Sequence, residues 1–525
     1  MEKYSLENAQ SEATVIRNDA QEAKQKRVLE GEKSGEPNRD DYDKADKAID
    51  SIGISNRKEF EQKQAEIQNK YSTVLEGSKN SGNQESVKLL QDNMSQELSF
   101  IDSQSKKFNS LEFKKGEKAT REYIKKNNLD KLVEEFGIEP MKEGCRLSLV
   151  IPACNEGRDI QKTLQSLAEQ KDENGEGINP DEFEVLITVN QKEQSSEEIK
   201  KSNQQTLEAI EEFKRNNPSL NIHAILKEFT GEQGGVGWAR KLGSDLVLAR
   251  SFSRNQESER EPMYIAGTDA DTIVGEQYVS EIIKAANKYG DAAYGGGVIF
   301  DENWEKALGK NASDKLRVFM EDMRGFLLKA LNGGLQGANF AIREDIYARM
   351  EGSSTKVHSE DAENDERLRS LKKNVTFLNS DHITSSRRMI GEFENYIAGM
   401  RGQKIDWETR NKTYGKSVPT GEKIDFTESE LDEVIAYHKL HRSDLIIDSI
   451  TSENVNNPEM VQLIGEKYHS DFKDLKTEEF KTLLNDKNFR KKLQIEIAYN
   501  MSKLFASKIS YTEKDKFIIG IPEKQ

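Results

Sequence analysis

The sequence predicts an α/β fold, a mainly parallel sheet with helices on both faces, with helical regions added at its N- and C-terminal ends. Three observations predict it. From Arg146 onward, short runs rich in β-branched and aromatic residues alternate with helical patterns, the mark of βαβ units. Residues before about 140 are rich in Glu, Lys, Gln, Asn and Ser, hold no Trp, and carry one proline, Pro37, ahead of Pro140. After about residue 425 the chain is again highly charged, with apolar residues at helical spacing such as Leu431, Val434, Ile435, Leu493, Ile497 and Met501. The expected units are therefore 1–140, a charged and partly disordered helical region; 141–400, the α/β domain; and 401–525, a helical accessory region.

In the first unit Phe60, Ile67, Tyr71 and Leu75, and later Leu89, Leu90, Met94, Leu98 and Ile101, recur with helical spacing. They predict amphipathic helices separated by a linker at 77–83. The heptads are broken, so a solvated hairpin or loose coiled coil is expected, with a helical partner as the alternative. In the second unit the strand runs are 147–151, 183–189, 222–226, 263–266, 292–300 and 375–378. The helical patterns between them are near 157–170, 196–215, 236–250 and 275–289. Ligands of such open sheets bind beyond the carboxyl ends of the strands.

The chain has 525 residues, enough for two to four units. Its 33% charged residues and mean hydropathy of −0.83 are polar for a globular protein, so part of the chain is expected outside any core. Lys plus Arg number 78 against 94 Asp plus Glu, a formal charge of −16, which repels phosphates and anionic lipid and disfavours nucleic acid as a partner. Cys145 and Cys154 flank the apolar run 147–151 and, if it is extended, lie about 30 Å apart. A disulfide requires Cα atoms within about 7 Å, so free thiols and a reducing compartment are expected. No stretch reaches the roughly 20 apolar residues of a membrane helix, and Met-Glu-Lys-Tyr-Ser-Leu-Glu has no apolar signal core. The expectation is a soluble, cytoplasmic chain.

The strongest motif is Tyr264-Ile265-Ala266-Gly267-Thr268-Asp269-Ala270-Asp271, an apolar strand running into two carboxylates one residue apart. Two carboxylates on a strand-end turn can hold Mg²⁺ or Mn²⁺ while the ion also engages a diphosphate. A solvated turn or a helix cap is the other reading of the pair. Upstream lies Leu147-Ser148-Leu149-Val150-Ile151-Pro152-Ala153-Cys154-Asn155-Glu156, a strand entering a loop and then a helix. Downstream come Gly333-Gly334-Leu335-Gln336-Gly337-Ala338-Asn339-Phe340-Ala341-Ile342-Arg343 and Ser359-Glu360-Asp361-Ala362-Glu363.

In this order the motifs resemble those of the family 2 glycosyltransferases of Rossmann-like GT-A fold: Ile-Pro-x-x-Asn-Glu after the first strand, Asp-x-Asp, Gly-x-Asn and Glu-Asp. The resemblance covers about residues 145–390. It implies that Asp269 and Asp271 hold the metal and the donor diphosphate, and that Pro152, Ala153, Asn155 and Glu156 line the nucleotide pocket with Asn190. It also implies that Asp361 is the catalytic base, and that Glu360, Gly337 and Asn339 lie near the acceptor. A helix start favoured by the macrodipole is the structural reading of Glu360-Asp361, and a strand-entry turn that of Gly337 and Asn339.

Gly231-Glu232-Gln233-Gly234-Gly235-Val236-Gly237-Trp238-Ala239-Arg240 is similar to the family's glycine-containing loop before a helix, which puts Arg240 on the donor. It is not a P-loop, because no Gly-Lys-Ser/Thr follows. His382 stands where related enzymes carry a third metal ligand, with His358 as a rival, and Arg387 and Arg388 suit donor phosphates.

Two departures stand out. Val189-Asn190-Gln191-Lys192 replaces the carboxylates that usually follow the second strand, and Cys154 replaces an aromatic residue, which leaves uridine or guanosine open. The Gln-x-x-Arg-Trp signature of processive synthases is lacking. The resemblance thus implies a soluble, metal-dependent hexosyltransferase that moves one sugar from a nucleotide-diphosphate sugar to an acceptor hydroxyl with inversion. Its rivals are a retaining enzyme of mannosylglycerate-synthase-like type and a helical scaffold that only binds nucleotide or a partner.

Overall fold

The computed structural model describes residues 84–506 and seven residues between 63 and 72, apart from 158, 232, 255–260, 318–333, 357–359, 374, 379, 402–422, 451–454 and 476. The linker at 77–83 and His358 lie outside the described residues. The elements are α1 (Gln84–Lys126), α2 (Leu129–Phe136), β1 (Leu147–Ala153), α3 (Ile160–Ala168), β2 (Phe183–Lys192), α4 (Glu197–Asn216), β3 (Ile222–Phe229), α5 (Val236–Ser253), β4 (Tyr264–Gly267) and β5 (Thr272–Ile273). They continue with α6 (Tyr278–Lys288), β6 (Ala293–Gly295), β7 (Val298–Phe300), α7 (Asn303–Leu308), α8 (Lys310–Arg317), β8 (Phe340–Arg343), α9 (Glu344–Arg349), α10 (Glu360–Ser370), β9 (Val375–Phe377) and β10 (His382–Thr384). The last five are α11 (Arg387–Met400), α12 (Glu428–Ser449), α13 (Pro458–Phe472), α14 (Thr477–Asn485) and α15 (Lys487–Ala506).

Seven strands form one sheet in the order β3-β2-β1-β4-β8-β6-β9. Apart from β8, which runs antiparallel to β4 and β6, the pairings are parallel, as the alternating pattern predicts. In β1 every residue is buried, which is why Leu147–Ala153 reads as a continuous apolar run rather than an alternating one. The antiparallel strand Phe340–Arg343 follows the Gly337–Asn339 turn read as a strand entry, and lies outside the parallel runs of the alternating pattern.

The run expected at 292–300 is two strands. β6 belongs to the large sheet, while β7 joins a small one of order β5-β10-β7. The break falls at Gly296 and Gly297, where a Cβ would strike the Asn339 side chain and the Asp381 carboxylate. Only glycine lets the chain pass between those groups as it changes sheets.

Two apolar cores cover the two faces of the large sheet, one with Ile160, Leu164 and Ile282, the other with Leu246, Leu248 and Ile346. The second core includes Tyr123 and Ile124 of α1, so the end of this long helix is packed on the α/β domain rather than solvated. Tyr123 Oη donates to Asp245 at 2.8 Å, and Glu112 lies beside Arg343 and Lys373. Farther out, Tyr71 Oη donates to Glu97 at 2.6 Å. A third core joins α12, α13 and α15 with Trp304, Leu308, Leu316, Ile390, Phe393 and Ile397, so the C-terminal helices share an interior with α7, α8 and α11. Thr427 and Glu430 form a capping box that starts α12.

Candidate active site

Parallel pairing of β1 with both β2 and β4 brings the ends of these strands to one edge of the sheet. Pro152 and Ala153, expected in a loop, are the last two residues of β1, paired with Thr188 and Val189. The chain leaves the strand at Cys154, which is exposed, and Asn155 adopts a left-handed conformation at φ 63°. Glu156 turns inward and is buried, as is Asn190 near the end of β2.

Asp269 and Asp271 follow β4, and each meets an arginine from elsewhere in the chain. Arg240, in the first turns of α5 and 3% exposed, pairs with Asp269 through Nη2 and with Glu360 through Nη1. Burial works against the Arg240 charge, but Asp269, Glu360 and Asp361 together outweigh it and hold the guanidinium above its ordinary pKa. Burial pushes the Glu360 carboxyl up, and Arg240 opposes this only in part. Arg387 opens α11 and lies 2.9 Å from Asp271 and 3.6 Å from Asp159, and also pairs with Glu156. Burial opposes its charge too, and Asp271, Glu156 and Asp159 reverse that. The side chain of Arg388 lies outside the described residues.

The turn from Gln336 to Asn339 is the hub of the site. Gly337 N–H donates to Asp361 Oδ2 at 3.2 Å, and a Cβ on Gly337 would sit 2.7 Å from Arg240 Nη1, so only glycine fits between the arginine and the acid. Asp361, the second residue of α10, stays half-buried, whereas Glu360, the first, is buried. Asn339 Nδ2 donates to the carbonyls of Gly297 and Ser380, both at 2.9 Å. The Ala338 carbonyl lies 2.8 Å from His382 Nδ1, so that nitrogen carries the hydrogen and Nε2 keeps its lone pair. Burial lowers the His382 pKa to about 4, and the ring stacks edge-on against Tyr278.

Among the described residues no three His, Cys, Asp or Glu side chains lie together as a cation cage. The arginines hold the two aspartates instead. The chemistry of the donors still fits a divalent ion: His382 is neutral, fully buried, and its Nε2 has no hydrogen-bond partner among the described residues, as expected of a nitrogen kept for a metal.

The sequence reading did not single out Asp159, Thr268 or Gln336. Asp159 faces Arg387, while Thr268 Oγ1 and Gln336 Oε1 are buried without partners among the described residues. Thr268 and Gln336 both stand inside quoted motifs, which is the only signal the sequence carries for them.

An open α/β sheet with these groups at its strand ends has the architecture of the GT-A glycosyltransferases. Residues 148–350 match the family model for glycosyl transferase family 2, so the chain carries a domain of that family and is a glycosyltransferase. No curated protein matches the chain. Among solved structures, S. aureus TarS 1-349 is 13% identical, with 69% of this chain and 92% of that chain covered and a TM-score of 0.30. The mannosyltransferase PcManGT from Pyrobaculum calidifontis in complex with GDP-Man and Mn²⁺ is 14% identical, with 74% and 96% covered and a TM-score of 0.32. GalNAc-T7 with UDP, GalNAc and Mn²⁺ is 14% identical, with 68% and 57% covered and a TM-score of 0.30. Among the described residues no helix is long and apolar enough to cross a membrane.

Proposed function

We propose that the enzyme moves a single sugar from a nucleotide-diphosphate sugar to an acceptor hydroxyl with inversion, with Asp361 as the base. The observation that carries this reading is the Arg240 bridge between Asp269 at the end of β4 and Glu360 beside Asp361, which ties the donor side of the site to the acceptor side. The Asp361 carboxylate is held by Gly337 N–H through Oδ2 and by its neighbour Ala362 N–H through Oδ1 at 2.9 Å, and these bonds orient it. From there it accepts the proton of the acceptor hydroxyl as the new glycosidic bond forms. Arg387 and Arg240, each paired with one of the two aspartates, would balance the charge of the diphosphate. Asp269, Asp271 and His382 are the residues that would hold a divalent cation, which supplies Lewis-acid stabilisation of the leaving diphosphate. Pro152, Ala153, Asn155, Glu156 and Asn190 form the nucleotide side of the cleft, and Asn339 and Glu360 the acceptor side.

The test is incubation of the full chain with UDP-, GDP- and dTDP-sugars and Mn²⁺, with the anomeric configuration of the product or of the hydrolysed sugar read by NMR. Inverted product supports the reading. Retained configuration overturns the base assignment, and failure to consume or bind any donor overturns the donor class.

A further inference from the structure

We propose that Asn203 is the positioning residue of the nucleoside pocket, setting the loop after β1 against the end of β2 through one buried amide. The inference rests on the reading that these two loops receive the nucleoside. Asn203 stands in the second turn of α4 and is fully buried. Its Oδ1 accepts from Asn155 N–H at 2.8 Å. Its Nδ2 donates to the Asn190 carbonyl at 3.0 Å and to Gln191 Oε1 at 3.2 Å. Both amide hydrogens thus have acceptors and the oxygen has a donor. The orientation is unambiguous, because the flipped amide would set two donors against each other at Asn155.

The bond to Asn155 matters because of that residue's backbone. At φ 63° Asn155 is in the left-handed region, which asparagine visits more readily than other non-glycine residues, and a hold on its backbone fixes the loop there. The Asn203 oxygen is such a hold, and the next loop residues rest on the same helix: a Cβ on Gly157 would lie 3.6 Å from Thr206 N and Oγ1. On the other strand, Gln191 is spoken for on both sides, since its Nε2 donates to Glu228 at 3.1 Å. Asn203 and Glu228 therefore hold the Gln191 side chain at both ends of its amide. The Asn190-Gln191 segment thus has its backbone and its side chain both bound by Asn203.

The experiment compares wild type, Asn203→Ala and Asn203→Asp as full chains, titrated calorimetrically with UDP, GDP and inorganic pyrophosphate in the presence of Mn²⁺, with thermal melts alongside. Loss of one or two ordinary hydrogen bonds from the loops predicts about tenfold weaker binding of whichever nucleotide wild type binds. Pyrophosphate, which lacks a nucleoside, should bind all three proteins alike. A merely structural role would leave the nucleotide affinity of the folded protein unchanged or weaken both ligands together, and either result overturns the proposal. If Asn203→Ala does not fold, Asn203→Asp carries the comparison, since it is the same size and still accepts from Asn155 N–H. Failure of both to fold makes Asn203 a core residue and overturns the proposal. If wild type binds pyrophosphate but neither UDP nor GDP, the nucleoside reading of the two loops fails and the inference falls with it, an outcome separate from failure of Asn203 alone.

Discussion

Arg387 Nη2 lies 2.9 Å from Asp271 Oδ2, so the second carboxylate of the Asp-x-Asp pair is neutralised by the first residue of α11. Arg240 does the same for Asp269. With the pairing of Arg387 to Glu156, the donor side of the site is a lattice of two arginines and their carboxylates. On the proposed function, a diphosphate would take the arginines of this lattice and a divalent cation the aspartates.

Arg387→Ala should therefore weaken UDP or GDP binding by about 10- to 100-fold, the range of a charge-assisted hydrogen bond. Calorimetric titration with Mn²⁺ present reads this directly. Unchanged affinity would remove Arg387 from the donor site.

Asp361→Asn keeps the shape of the side chain but cannot take a proton. Turnover should fall by about 10² to 10⁴-fold, with donor affinity within about twofold of wild type. Initial rates and donor titrations on the same preparation separate the two effects, and full turnover by the variant would exclude Asp361 as the base.

His382 Nε2 is buried with a free lone pair, so His382→Ala should reduce Mn²⁺ dependence without touching the nucleoside contacts. The expected result is that nucleotide binding measured in EDTA matches wild type, while the gain on adding Mn²⁺ shrinks by about tenfold or more. An undiminished gain would place the cation elsewhere.

Asp365, one turn beyond Asp361, has its pKa raised to about 6 by burial, against the opposing pull of Arg369. A carboxyl whose folded pKa lies above its unfolded value of 3.8 binds its proton more tightly in the folded state. Its contribution is thus fully present below about pH 4 and is lost as pH rises through 6. The shift corresponds to at most about 3 kcal/mol. Asp365→Asn should melt at a higher temperature than wild type at pH 8 and close to it at pH 4. A difference that does not depend on pH would contradict the buried-carboxyl account.

Tyr123 Oη on α1 donates to Asp245 at 2.8 Å, alongside Tyr347 Oη at 2.8 Å and Lys241 Nζ at 2.9 Å. Tyr123→Phe removes the bond to Asp245 and the one that Tyr123 Oη accepts from Lys241 Nζ, and should cost about 2 to 3 kcal/mol in urea unfolding. Truncation of the chain through residue 126 should cost much more, because Tyr123 and Ile124 belong to the sheet's own core. A truncated chain with an unaltered cooperative transition would show that α1 is dispensable.

Much of this was legible in the chain itself. Runs such as 147–151 and 183–189 announce buried parallel strands because local composition and length suffice to mark them, and the order of Asp269-x-Asp271, Gly337-x-Asn339 and Glu360-Asp361 already points to one edge of one sheet. Local signals fail where partners are distant. Nothing near Phe60 or Leu89 in the sequence tells that the end of α1 docks on α5 and α9, and nothing in the run 292–300 says that Gly296 and Gly297 divide it between two sheets.

The sequence by itself determined the strand and helix pattern, the α/β class and the residue types at the strand ends, since these depend on periodicity and short motifs. Only the tertiary structure decided that Arg240 joins Asp269 to Glu360, that Arg387 joins Asp271 to Glu156, that Gly337 N–H holds Asp361, and that the Ala338 carbonyl sets the tautomer of His382. Each of these is a contact between groups far apart in the chain, whose geometry follows from strand register and burial, and neither is written in any local stretch of residues.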